Sequence, residues 1–98
     1  MPGNRLIVIG HAALDFVYRI DAFPSKPSKL RAREHITSGG GMAANAASAA
    51  ARLGGDVSLW SRVGSDPASQ MILHELERFG IDISHVKVYA GARSATAA

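Results

Sequence analysis

Residues 37–55 read TSGGGMAANAASAAARLGG. Three glycines, Gly39 to Gly41, lead into a segment in which seven of the nine residues from Ala43 to Ala51 are alanine and Asn45 is the one amide. Alanine is the best helix former, and Gly54 supplies the left-handed residue that ends a helix. The composition therefore predicts a helix over 42–53. A helix this thin lets its axis approach a sheet or another backbone more closely than a leucine face allows. Glycines without Cβ permit a sharp turn just before it, and they leave bare N–H groups at a helix N-terminus, where the macrodipole favours negative or hydroxyl-rich ligands. Asn45, about one turn in, adds an amide that both donates and accepts. A polyol suits such a set of groups; a tightly packed loop and helix with Asn45 in solvent is the plainer alternative.

On the N-terminal side, Leu6, Ile7, Val8 and Ile9 form an apolar run ending at Gly10, the pattern of a core strand covered on both faces. Phe16, Tyr18 and Ile20 alternate with Val17 and Arg19, and Leu30, Ala32, Glu34 and Ile36 alternate with Arg31, Arg33, His35 and Thr37. Each set has period two, so both predict half-exposed strands. AFPSKPSK between them, with two prolines and two serines, predicts a loop. Together they form an antiparallel excursion from the main sheet.

On the C-terminal side, Val57, Leu59 and Val63 predict a second core strand. Asp66 is a good N-cap and Pro67 suits the first helical position. Ile72, Leu73, Leu76 and Phe79 then make one apolar face before Gly80 ends the helix. Val86 and Val88 mark another short strand, and the closing GARSATAA carries no capping element. Strand, excursion, helix, strand, helix, strand is the order of an α/β fold with a mostly parallel sheet flanked by helices. Three core strands and two helices do not close such a sheet, so the chain reads as part of a domain.

The whole chain has 98 residues, 47% hydrophobic and 19% charged, with no cysteine, which excludes a disulfide scaffold. No apolar run reaches the roughly 20 residues of a membrane-spanning helix, and MPGNRLIVIG lacks the apolar stretch of a secretory signal. The reading is a soluble, cytoplasmic chain with no membrane partner. Net charge is +3, and six of the eleven Lys and Arg residues fall between Arg5 and Arg33. Without aromatic interleaving or a basic helix, that skew does not describe a nucleic-acid binder. His11, His35, His74 and His85 share no helical i, i+4 face and no short ligand spacing, so no metal site is assigned.

GGGMAANAASAAARLGG is similar to the N-terminal glycine motif of the ribokinase-like carbohydrate kinases, the PfkB family. VIGHAALD, residues 8–15, resembles that family's first strand with the acidic residue after it. SRVGSDPASQMILHELERFGID resembles its third element, a Val-Gly-x-Asp turn opening a helix. The three occur in the family's order across residues 5–96. The resemblance implies a ribokinase-like α/β fold with a small β lid. Residues 1–98 would then be the N-terminal part of one such domain, with residues 16–37 as the lid excursion. It implies a kinase moving the ATP γ-phosphoryl group to a sugar hydroxyl, with Asp15 accepting sugar hydroxyls, Gly40 and Gly41 lying against the sugar and Asn45 contacting it. It also implies ATP and Mg²⁺ as cofactors and a homodimer clasped through the lids. The catalytic base and the anion hole are expected beyond Ala98. Ala13 and Met42 stand where ribokinase itself has Asn and Lys, which counts against ribose. Arg19, Lys26, Lys29, Arg31 and Arg33 crowd the excursion and suit a sugar carrying an anionic group as much as a solvated edge.

Two other readings compete. Gly39, Gly41 and Ala44 fit the G-x-G-x-x-A of a dinucleotide-binding turn, but that fingerprint needs a buried strand directly ahead, and REHIT is charged. A non-catalytic, kinase-like module is the second.

Overall fold

A computed structural model describes residues 4–98. The first three residues, which begin the MPGNRLIVIG stretch read above, lie outside the described residues. The chain forms β1 (Arg5–Ile9), β2 (Ala13–Arg19), β3 (Glu34–Gly40), α1 (Met42–Arg52), β4 (Asp56–Val63), α2 (Pro67–Arg78), β5 (Val86–Val88) and β6 (Ala95–Ala97). Two three-stranded sheets result. One is parallel in the order β1-β4-β5; the other has the order β3-β2-β6, with β2 antiparallel to β3 and parallel to β6. Among the described residues no helix is long and apolar enough to cross a membrane.

The core lies between the helices and one face of the parallel sheet. Val57 and Leu59 on β4 are fully buried against Ala43, Ala44 and Ala47 of α1 and Ile72 and Leu76 of α2, with Leu14 of β2 and Ile81 closing the cluster. The alanine helix therefore does what its slimness suggested: its three buried residues are all alanine and it packs directly on β4 and β1.

The structure corrects three expectations. Among the described residues β1 is not covered on both faces: Leu6 and Ile7 are each 48% exposed and Ile9 is 72% exposed. Among the described residues β1 pairs with β4 alone, and α1 packs on β1 and β4 while α2 packs on β2 and β3, so an apolar run is left with one packed side. The second strand of the excursion is Glu34–Gly40 and not Leu30–Thr37. It runs into the glycines because Ala13 and Leu14 pair with Gly40 and Gly39, and ladder bonds override the poor strand propensity of glycine. The closing GARSATAA does form an element: Ala95 to Ala97 add to β2 in register with Ala13 to Asp15. That strand is too short and too small to carry a periodic signal.

α2 begins as its sequence dictates. Pro67 occupies the first turn, and Asp66 Oδ1 accepts the Ser69 N–H at 3.1 Å. The same carboxylate accepts the Ser94 N–H at 2.9 Å and the Ser94 hydroxyl at 2.8 Å, tying β6 to the start of α2. These donors, the Ser94 N–H foremost, hold the Asp66 carboxyl below its ordinary value of 3.8. A folded-state value below the unfolded one adds stability above the unfolded value and loses it as pH falls through the folded one. Thermal melts should therefore show Asp66→Ala less stable than wild type at neutral pH, with the gap narrowing below about pH 4 as the wild-type carboxylate protonates. A gap that is constant or widens in acid contradicts the linkage.

Candidate functional site

The antiparallel register of β2 and β3 builds the site. Asp15 lies opposite Ser38, and Ala13 opposite Gly40, so Asp15 and Gly40 are diagonal neighbours on one face. The Asp15 carboxylate fills the space over Gly40, where a Cβ would stand 2.5 Å from its Cγ and 2.6 Å from Oδ1. Any side chain at residue 40 displaces the carboxylate. Asp15 is half-buried, yet among the described residues its carboxylate takes part in no hydrogen bond or ion pair and caps no turn. A carboxylate partly out of water and without a protein partner is an acceptor in want of donors.

Gly41 follows at φ 93°, and a Cβ there would stand 2.6 Å from the His11 carbonyl oxygen. Both facts require glycine. The turn after β1 thereby touches the start of α1: the Ala44 N–H donates to the His11 carbonyl at 3.2 Å, and the Asn45 N–H to the Gly41 carbonyl at 2.9 Å. Gly41 caps α1 without a side chain. The N–H groups of Met42 and Ala43 have no acceptor within the helix and face the same end of α1 as Gly41.

Asn45 is exposed and, with Gly39 and Gly40, lines a hollow of about 250 Å³ between α1, α2 and the end of β3. Asp15 does not line this hollow; its side chain leaves β2 on the face opposite buried Leu14. Of the four residues singled out from the sequence, Asp15, Gly40 and Gly41 are thus contiguous, and Asn45 stands one helical turn beyond on the cavity side. Met42 is 88% exposed beside them.

Sequence reasoning missed Glu75. Its carboxylate enters the hollow and accepts the Gly39 N–H at 2.8 Å. Its spacing was a usable signal, because residues 72, 75, 76 and 79 fall on the apolar stripe of α2, where a charged residue needs a partner. Arg52 borders the same hollow with its guanidinium 5.0 Å from the centre of the Phe79 ring.

The basic excursion is partly neutralised. Arg19 pairs with Glu34 at 3.6 Å and Arg33 with Asp21 at 3.0 Å, whereas Lys26, Lys29 and Arg31 are exposed without a carboxylate partner among the described residues. His35 stacks on Tyr18, and His85 on Trp60. Among the described residues no three His, Cys, Asp or Glu side chains gather as a metal-binding group. The glycine turn follows an exposed strand antiparallel to its neighbour, not the buried parallel strand that a dinucleotide-binding turn requires.

Comparison with known proteins follows the same lines. Residues 4–98 match the profile described as pfkB family carbohydrate kinase. The chain is 33% identical over 91 residues to the ATP-dependent ribose-1-phosphate kinase of Halopiger xanaduensis, covering 93% of this chain and 31% of that protein. It is 35% identical to the nucleoside kinase of Methanothermobacter thermautotrophicus, covering 94% of this chain and 30% of that one. Arabidopsis thaliana ribokinase, solved with ribose and ATP, superposes with a TM-score of 0.78 at 25% identity, over 93% of this chain and 30% of that one. This chain therefore spans a little under a third of the relatives it matches. With the glycine turn, the acidic residue and the two-helix sheet arranged as described, the chain belongs to the pfkB family of carbohydrate kinases and has their ribokinase-like α/β fold.

Proposed function

We propose that this chain is the N-terminal, substrate-holding part of a kinase that transfers the γ-phosphoryl group of ATP to a hydroxyl of a sugar. The observation that carries the reading is the half-buried, unpartnered Asp15 carboxylate lying against Gly40 at the opening of α1. Asp15 accepts two sugar hydroxyls by charge-assisted bonds. The main chain at Gly40 and Gly41 lets the ring approach, the free N–H groups of α1 donate to it, and Asn45, exposed one turn into α1, turns its amide from the neighbouring hollow to one further hydroxyl.

Phosphoryl transfer depends chiefly on positioning and charge stabilisation, and this segment supplies the positioning. The base and the anion hole belong to residues beyond Ala98. Magnesium would come bound to the ATP phosphates, where it would neutralise their charge; no step of the segment's own work passes through it. Residues 16–37 act as a lid over the sugar, and lids of two chains clasp into a dimer through exposed Val17 and Ile36. Lys26, Lys29 and Arg31, free of carboxylate partners among the described residues, favour an acceptor carrying phosphate or carboxylate. Dependence on ATP makes the cytoplasm its compartment.

The test is a screen of the intact kinase containing this segment, with ATP and a panel of neutral sugars, anionic sugars and nucleosides, following ADP release. A sugar acceptor is expected. Asn45→Ala should raise the KM for that sugar about tenfold, the worth of one hydrogen bond to a bound polar group, with the KM for ATP unchanged. ATP turnover with no acceptor in the panel, or nucleosides alone as acceptors, overturns the sugar reading.

A further inference from the structure

Glu75 sits where α2 should be apolar, and its partner is a main-chain amide of the glycine stretch, not another side chain. The fit is mutual. A Cβ on Gly39 would stand 3.0 Å from both Cδ and Oε2 of Glu75 and 3.1 Å from Oε1, so the carboxylate occupies the space that glycine leaves open. β3 is the outer strand of its sheet, with β2 on its only paired edge among the described residues. The Gly39 N–H is therefore finished by α2, at 2.8 Å, two residues before the left-handed Gly41 that starts α1.

We infer that Glu75 is a positioning residue, whose carboxylate grips the Gly39 amide and thereby fixes the Gly40–Gly41 main chain against which the substrate lies; this rests on the sugar-site reading above. Without the grip, three consecutive glycines have more conformational freedom than any other tripeptide. The turn then spends less of its time with Gly40 under Asp15 and with the α1 N–H groups facing the sugar. Loss of preorganisation weakens binding without altering the transferring groups.

The experiment is steady-state kinetics on the intact kinase with Glu75→Ala, Glu75→Asp and Glu75→Gln, beside amide hydrogen exchange at residues 39–41. Glu75→Ala should raise the sugar KM about tenfold with kcat and the KM for ATP within about twofold, and should speed exchange at Gly39. Glu75→Gln, whose carbonyl oxygen accepts the same N–H, should restore the KM to within about threefold. Glu75→Asp draws the carboxylate back by one methylene and should behave as Glu75→Ala, in a protein that folds even if the alanine variant does not. A wild-type sugar KM in a folded Glu75→Ala or Glu75→Asp protein overturns the inference, as does failure of Glu75→Gln to rescue. If Asn45→Ala raises the sugar KM and the Glu75 variants do not, only this inference falls. If Asn45→Ala is silent while Glu75→Ala raises the KM, Glu75 stands and the Asn45 part of the site reading falls.

Discussion

Asp15→Ala in the intact kinase is expected to raise the sugar KM by about a hundredfold or more while leaving the melting temperature close to wild type. The two halves of that result come from one feature. Asp15 is half-buried, and its carboxylate rests over Gly40 with no hydrogen bond or ion pair among the described residues. Removing it breaks no side-chain hydrogen bond or ion pair and relieves an uncompensated carboxylate, so folding loses little. Bound sugar, in contrast, loses two charge-assisted bonds, each worth about 1.5 to 3 kcal/mol. Asp15→Asn, which keeps the shape and one acceptor oxygen, should fall between. Steady-state kinetics and thermal melts on the same preparations check both halves. An unchanged sugar KM removes Asp15 from the site, and a large fall in melting temperature with unchanged KM returns it to a structural role.

Gly64→Ala is expected to be the most damaging small substitution for folding. Gly64 follows β4 directly, and a methyl there would collide with the Ala92 carbonyl oxygen and stand 2.6 Å from the Ala92 carbonyl carbon and 2.7 Å from that of Arg93. All three obstacles are main chain, so no rotamer change relieves them. The Gly64 N–H donates to Ser94 Oγ at 3.0 Å, and the Ser65 N–H to the Ala92 carbonyl at 3.0 Å. Pushing residues 92–94 away breaks both bonds, draws Ser94 from Asp66 and strips β6 from β2. Overpacking of this kind, with buried hydrogen bonds lost, amounts to about 3 kcal/mol or more. In an intact kinase of which this chain is about a third, that lowers the melting temperature by more than about 5 °C. A melt within about 2 °C of wild type would mean that residues 92–94 do not cross Gly64 as described.

Local signals were strong where a single residue carries the physics. Asp66 and Pro67 announced the start of α2, Gly80 its end, and the alanines both the helix α1 and its close packing. The three motifs in order were enough for the family. The geometry of the candidate site was legible in part: Asp15 and Gly40 are neighbours, because the two excursion strands pair and a diagonal pair on one face follows from that register. Glu75 was not foreseen, although its place on an apolar stripe was visible, because nothing local names a partner 36 residues away.

By itself the sequence determined the helices, the glycine turn and the kind of fold, since helix caps, propensity and left-handed glycines act over a few neighbouring residues. Only the tertiary structure decided that β3 runs into the glycines and that Ala95 to Ala97 become a strand. It also decided that Gly39 answers to Glu75 and Gly64 to Ala92. Each of these depends on which distant main chain comes within hydrogen-bonding or van der Waals reach, a quantity that packing sets and local propensity does not contain.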